Sequence, residues 1–170
     1  MLFRSKPYDD AYSIKGVFLT PESRGSISLA SADPAAAPLI RQNFLDTRND
    51  RESVRRMIRI MREIGLQNAF SPLRGAELAP GEAATTDEDI DAFVRSTAIT
   101  LHHPVGTCRM GASRDPMAVL DGNLRVRGIE GLRVVDGSAM PRITRGPTNA
   151  PIIMMAEKAS DHILGRINHG

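Results

Sequence analysis

The chain has 170 residues, of which 41% are hydrophobic and 25% charged, a composition that suits one globular domain with a sizeable core. Its net charge of +2 is too small to favour nucleic acid as a partner, and no run of about 18 apolar residues predicts a membrane span. The N-terminal segment lacks the apolar core of a signal peptide, so we expect a cytoplasmic protein or one peripheral to a membrane. The single cysteine excludes an internal disulfide, and the histidines show no metal-ligand spacing.

The first part of the chain predicts two strands. Residues 1–13 are polar and irregular in pattern, and residues 12–20 then form an apolar run that Pro21 ends. Small polar and apolar residues alternate over residues 26–31, which predicts a half-buried second strand. Because a turn at residues 23–25 separates the two runs, we expect them to form an antiparallel pair.

A long helix follows these strands. Asp46 or Thr47 is its expected N-cap, and Gly65 lies near its end. Apolar side chains recur at helical spacing at Val54, Met57, Ile58, Met61 and Ile64. The same segment is rich in arginine, at positions 51, 55, 56, 59 and 62. Glutamates interleave with these arginines and no aromatic residue accompanies them, so the pattern indicates a solvated face and not a nucleic-acid surface.

A second helix is predicted to begin at residues 86–89, where a threonine precedes acidic residues that favour the first turn. Its buried stripe is expected at Ile90, Phe93 and Val94. Further on, residues 121–123 predict a tight turn, and the apolar run at residues 132–135 predicts a buried parallel strand. Pro151 is expected in the first turn of a last helix, where its missing N–H is tolerated.

The run at residues 102–111, H-H-P-V-G-T-C-R-M-G, lies between the second helix and that turn. Pro104 favours an extended backbone at His103, and Gly106 permits a tight bend or a close backbone approach. Histidine titrates near neutrality, which makes it the usual general base in enzymes. On these residues alone, a positioned catalytic histidine and two surface histidines in a loop are equally good interpretations.

Two further motifs follow in order: G-L-R-V-V-D-G-S at residues 131–138, and T-N-A-P-I-I-M-M-A-E-K-A-S-D at residues 148–161. Together with H-P-V-G-T-C-R-M-G, they resemble the C-terminal region of the glucose–methanol–choline (GMC) flavoprotein oxidoreductases. Within that family the similarity is strongest to the choline dehydrogenase and alcohol dehydrogenase branch. It is specific over residues 99–166 and looser upstream.

This resemblance implies an α+β fold, with an antiparallel substrate-binding sheet and helices followed by the last strand and helix of an FAD-binding domain. Residues 1–100 would then belong to the substrate-binding part, residues 101–128 would carry the active-site histidine, and residues 129–170 would return into the FAD-binding domain. The family's G-x-G-x-x-G dinucleotide fingerprint is absent. We therefore expect a C-terminal portion whose partner is the missing N-terminal FAD-binding portion.

The resemblance also implies roles for single residues. His103 would accept the hydroxyl proton of a primary alcohol, choline-like or other, as hydride passes to the flavin and an aldehyde forms. His102 receives no catalytic role. The family's second active-site residue, a His or an Asn, falls on Pro147, which has no side-chain donor or acceptor. Asn149 is the alternative for that second position.

Cofactor contacts are implied at Asp136, Gly137, Asn149, Ala150 and Pro151. The Asp136–Gly137 turn would meet the ribityl and pyrophosphate region of FAD, and the start of the last helix would lie near the isoalloxazine. Taken alone, Asp136 is better explained as the cap of a turn than as a cofactor contact. The alternative function is a non-catalytic fragment or interaction module that keeps the fold without binding FAD on its own.

Overall fold

The computed structural model describes residues 2–3 and 10–166. Its helices and strands are β1 (Leu2–Phe3), β2 (Ser26–Ser28), β3 (Leu39–Arg41), α1 (Arg48–Gly65), α2 (Asp87–Thr97), β4 (Ala98–Ile99) and α3 (Asn149–Ile163). Short 3₁₀ turns lie at Asn68–Phe70 and Gly137–Ala139. The chain divides into two units, Met1–Leu101 and His102–Gly170, each with its own apolar core. This combination of short antiparallel strands and helices confirms the α+β class.

Thr47 is the N-cap of α1, where its Oγ1 accepts a hydrogen bond from the Asp50 N–H at 3.1 Å. In α2 the cap is reciprocal: Thr86 Oγ1 accepts from the Asp89 N–H at 3.1 Å, and the Asp89 carboxylate accepts from the Thr86 N–H at 3.0 Å. Both predicted helix starts are therefore confirmed, and in each helix the threonine bonds to the N–H of the third helical residue.

The apolar stripes of α1 and α2 form the core of the first unit. Its fully buried side chains are Val54, Ile58, Ile90 and Val94. Phe93, Met57 and Met61 pack against them. Ile64, in the last turn of α1, was expected in this stripe but is 42% exposed. The helical periodicity therefore identified the buried face correctly, although it extends that face one turn too far.

Three of the five arginines predicted to lie on a solvated face of α1 are ion-paired with residues outside the helix, which corrects that prediction: Arg55, Arg59 and Arg62. Arg55 donates to both carboxylate oxygens of Asp91, at 2.7 and 2.6 Å, and to Asp87 at 2.7 Å. Arg62 binds Glu77 at 3.0 Å. Hydrogen bonds from Arg55 lower the pKa of Asp91. These partners lie on α2 and on the loop before it, so a pattern read along α1 alone could not identify them.

The strand pairing differs from the prediction. β2 pairs in antiparallel fashion with β3, and residues 12–20 form no strand. Both strands are exposed, whereas the alternation at residues 26–31 predicted a half-buried strand. At the N-terminal end, β1 pairs with β4, although this segment was predicted to be irregular. A strand of two residues is too short to show the alternation of apolar and polar residues that predicts a strand. Residues 1 and 4–9 lie outside the described residues.

No turn forms at residues 23–25, and the contacts of Asp50 explain why residues 12–20 do not fold back onto β2. Its buried carboxylate accepts hydrogen bonds from the N–H groups of Glu22 and Ser23, both at 2.8 Å, and from Ser23 Oγ at 2.5 Å. The chain just before β2 is therefore fixed to the first turn of α1. Gly25 then passes so close to β3 that a Cβ there would lie 2.1 Å from the Arg41 carbonyl oxygen.

The second unit consists largely of turns packed around α3. Its core contains Leu120, Leu124, Ala139 and Ala159. Asp121 Oδ1 accepts from the N–H groups of Asn123 and Arg125, at 2.8 and 2.9 Å, which confirms the predicted tight turn. The predicted parallel strand at residues 132–135 is wrong, because that run forms only an antiparallel bridge between Arg125 and Arg133 in the described chain. Its valines pack on the core without strand partners.

Candidate active site

A hydrogen bond joins the first and third motifs within the second unit. His103 Nδ1 lies 3.0 Å from Thr148 Oγ1, although 45 positions separate the two residues. Thr148 is only 4% exposed, and the His103 side chain is half-buried. His103 is thus held at the start of α3, which agrees with a positioned imidazole and not with two free surface histidines.

The segment that follows His103 is tied to the second motif by backbone hydrogen bonds. Cys108 N–H donates to the Ser138 carbonyl at 3.0 Å, and Met110 N–H donates to the Ala139 carbonyl at 2.9 Å. Gly106 has φ +92°, and a Cβ there would lie 3.3 Å from the Met140 carbonyl oxygen. This is the tight bend that the glycine was expected to permit.

Gly137, in the second motif, lies close to both of the other motifs. A Cβ at this position would be 3.1 Å from Ile152 Cδ1 on α3 and 3.6 Å from the Pro104 carbonyl oxygen. The glycine therefore allows the second motif to pack between the histidine segment and α3. A larger residue at this position would require the Ile152 side chain to move by a few tenths of an ångström.

Asp136 caps the short 3₁₀ turn at Gly137–Ala139. Its Oδ1 accepts from Ser138 N–H at 2.7 Å and from Ser138 Oγ at 2.5 Å. The capping interpretation, left open by the sequence, is therefore correct for this oxygen. The residue is exposed, and its Oδ2 has no hydrogen-bond partner among the described residues.

α3 begins beside His103 with a mostly exposed first turn. Pro147, Asn149 and Ala150 are exposed, and Pro151 stands in the first turn as predicted. The first N–H groups of a helix have no partners within the helix, and the helix dipole makes this end positive. The start of α3 can therefore stabilise negative charge.

Neither residue proposed for the second active-site position is hydrogen-bonded to His103. Pro147 and Asn149 flank Thr148, about 3.8 Å away from it along the chain, but the described hydrogen bond to His103 comes from Thr148. The sequence analysis missed Thr148. A usable signal was present, because a threonine precedes the helix and the third helical residue, Pro151, has no N–H to bind it.

No group of three or more His, Cys, Asp or Glu side chains within residues 2–3 and 10–166 is arranged to hold a metal ion. In the same residues, no helix has both the length and the apolar character needed to cross a membrane. The described geometry instead offers one held imidazole and one positive helix end.

Comparison with known proteins identifies the family. Residues 21–156 match the family model described as GMC oxidoreductase. Because the match covers most of the chain, the chain belongs to the GMC oxidoreductase family, as the three motifs predicted.

The relatives are considerably longer than this chain. An oxygen-dependent choline dehydrogenase of Rhizobium johnstonii is 53% identical over 145 residues, which are 85% of this chain and 26% of that protein. The solved structure of pyridoxine 4-oxidase from Mesorbium loti has a TM-score of 0.80 at 36% identity, covering 89% of this chain and 29% of that one. An FAD-dependent oxidoreductase from Chaetomium thermophilum has a TM-score of 0.80 at 31% identity, covering 87% and 26%. The chain spans about a quarter of the length of the curated relatives it matches.

Proposed function

We propose that this chain is the C-terminal portion of an FAD-dependent oxidoreductase that oxidises a primary alcohol to an aldehyde. The observation that carries the proposal is the 53% identity to an oxygen-dependent choline dehydrogenase over 145 residues. The hydrogen bond that holds His103 at the start of α3 supports it, because a base must be fixed in place to act on a bound hydroxyl.

His103 is the proposed proton acceptor. Its imidazole takes the hydroxyl proton of the alcohol, which makes the substrate oxygen negative and favours loss of hydride from the adjacent carbon. FAD, when bound, supplies the hydride acceptor. A positioned acid–base group of this kind contributes about 10²- to 10⁴-fold to a rate. His102, exposed and with a φ of +61°, has no proposed part in the reaction.

The second unit has residues that fit the flavin half of FAD. The exposed first turn of α3, at Asn149, Ala150 and Pro151, would lie along the isoalloxazine, whose negative charge in the reduced form suits a positive helix end. Asp136, with one carboxylate oxygen still available, and Gly137 would lie toward the ribityl and pyrophosphate region. The adenine half would need a G-x-G-x-x-G segment. The proposed partner is therefore an N-terminal FAD-binding portion.

A chimeric enzyme tests this function. The C-terminal region of the Rhizobium johnstonii choline dehydrogenase would be replaced by the matching 145 residues of this chain. We expect the purified chimera to bind FAD and its flavin absorbance to bleach when choline or another primary alcohol is added without oxygen. The parent enzyme, purified in the same way, is the control. A folded chimera that binds no FAD, or that no alcohol reduces, would contradict the proposal.

A further inference from the structure

The three long helices of the described chain all begin after a threonine, but the third threonine is used differently. Thr47 and Thr86 each accept a hydrogen bond from the N–H of the third residue of their helix. Thr148 makes no side-chain cap bond to α3. Its hydroxyl lies 3.0 Å from His103 Nδ1 instead.

Pro151 and the backbone of Thr148 together explain the difference. Thr148 has helical backbone angles (φ −81°, ψ −13°), whereas Thr47 and Thr86 have the extended backbone of a capping residue. In α1 and α2 the third helical residue is an aspartate, Asp50 or Asp89, whose N–H binds the threonine. In α3 the third residue is Pro151, which has no N–H to donate. The Thr148 hydroxyl is thereby released from capping, and in the described residues its one hydrogen-bond partner is His103.

We propose that Thr148 is a positioning residue for His103: its Oγ1 accepts a hydrogen bond from Nδ1–H and so leaves Nε2 as the nitrogen that receives the substrate proton. The assignment of Nε2 as the reacting nitrogen rests on the proposed function. The direction of the Thr148–His103 bond rests on it too, because a base needs Nε2 without a proton, whereas the 3.0 Å contact itself is a feature of the structure.

The direction of that bond follows from what a base requires. A neutral imidazole carries one proton, and its other nitrogen is the acceptor. If Thr148 donated to Nδ1, the ring proton would sit on Nε2, and the only free lone pair would point at Thr148. If Nδ1–H donates to Thr148, Nε2 is free to accept a proton, and the bond to Thr148 persists in the charged ring. Among the described residues, Nε2 has no hydrogen-bond partner.

The test reads the tautomer directly in the full 170-residue chain. Long-range ¹H–¹⁵N NMR correlations distinguish the two forms at about pH 8.5, two units above the ordinary histidine pKa of about 6.5, with His103→Gln identifying the signals. We expect His103 to be mainly the Nδ1–H form. Thr148→Val, which keeps the shape and removes the hydroxyl, should lower the ratio of Nδ1–H to Nε2–H by about tenfold, the effect of one hydrogen bond. Thr148→Ser should restore it.

Two further variants sharpen the test. Thr144→Val is the matched control, because it removes a nearby hydroxyl that donates to the Gly146 carbonyl at 3.1 Å and should leave the ratio unchanged. Pro151→Ala restores the missing N–H and should draw Thr148 back to capping, lowering the Nδ1–H fraction. It carries the test if Thr148→Val fails to fold.

Each outcome decides the proposal. A wild-type His103 in the Nε2–H form, or a ratio that neither Thr148→Val nor Pro151→Ala changes, would overturn it. The proposed function fails separately: if the tautomer responds as expected but the chimera is not reduced by alcohols, Thr148 positions His103 in a site that does another reaction. If alcohols reduce the chimera but the ratio of Nδ1–H to Nε2–H does not change in Thr148→Val, the proposed function stands and the positioning role of Thr148 is wrong.

Discussion

Pro147 lies next to the residue that holds His103, at the position where the family resemblance expects a His or an Asn. Proline can neither donate nor accept through its side chain, so the substrate oxygen loses one partner in the proposed site. A buried polar group without a partner costs about 1–3 kcal/mol. Small polar alcohols, which depend most on such contacts, should therefore be the poorest substrates.

In the chimera, Pro147→Asn should increase the rate of flavin reduction by small polar alcohols by about tenfold, because it restores a hydrogen-bonding side chain. Bulky apolar alcohols should gain little. Stopped-flow absorbance across a series of alcohols measures the effect. Pro147→Ala is the matched control, since it removes the ring without adding a polar group. If both variants change the rates alike, Pro147 does not occupy the second active-site position.

Asp50 makes the stability of the first unit depend on pH. Burial opposes its ionisation, but the hydrogen bonds from Glu22, Ser23 and Thr47 outweigh this effect and lower the pKa of its carboxyl. A carboxyl whose pKa is lower in the folded state stabilises the fold above its unfolded pKa of about 3.9, and that contribution is lost as pH falls through the folded pKa.

Asp50→Asn should therefore lower the free energy of unfolding by about 1.5–3 kcal/mol near pH 7, the value of hydrogen bonds to a charged group. The difference from wild type should shrink as pH falls below about 3.9, where the carboxyl of the unfolded chain becomes protonated, and should be lost once the pH is below the lowered pKa of the folded state. Urea unfolding followed by circular dichroism at several pH values measures both effects. Asp46→Asn, an exposed aspartate four positions earlier, should change little. A deficit that persists unchanged at low pH would mean that shape, not charge, explains the role of Asp50.

The core between α1 and α2 tests the packing of the helix pair. Ile58 is 2% exposed in that core, and Ile60 on the same helix is 47% exposed. Ile58→Ala should lower the free energy of unfolding by about 2–5 kcal/mol, because it leaves a cavity. Ile60→Ala should change it by less than about 0.5 kcal/mol. Similar losses for the two variants, measured by denaturant unfolding, would show that α1 packs through another face.

Helices and strands differed in how well the sequence predicted them. α1, α2 and the start of α3 follow from local features, namely helical spacing of apolar residues, N-cap threonines and a first-turn proline. β2 and β3 do not, because their pairing depends on Asp50, which fixes residues 22–23 from 27 positions away. Short strands carry too few residues to show a clear period, so distant contacts decide their partners.

The sequence predicted only part of the candidate site, as it predicted only part of the fold. His103 was proposed because three motifs occur in the order that the family has, and Pro151 was placed in the first turn correctly. The contribution of Thr148 emerged only when the fold placed it beside a histidine 45 residues away. The predicted cofactor contacts of Asp136 and Asn149 remain proposals. Asp136 has one carboxylate oxygen without a hydrogen-bond partner among the described residues, and Asn149 is exposed.

At the scale of the whole molecule, the chain is a member of the GMC oxidoreductase family that spans about a quarter of the length of its curated relatives. Its second unit alone contains the histidine, the held ring nitrogen and the positive helix end. We propose that these features serve alcohol oxidation through His103. Because this role belongs to His103 alone, the adjacent His102 provides the control.

The most direct test compares His103→Ala with His102→Ala in the chimera, by measuring anaerobic flavin reduction with the best alcohol substrate. Removal of a general base should slow reduction by about 10²- to 10⁴-fold in His103→Ala, with FAD still bound. His102→Ala should retain nearly the full rate. Equal rates in the two variants, or a His103→Ala chimera that is reduced as fast as the unmutated chimera, would contradict the proposed role of His103 as the base.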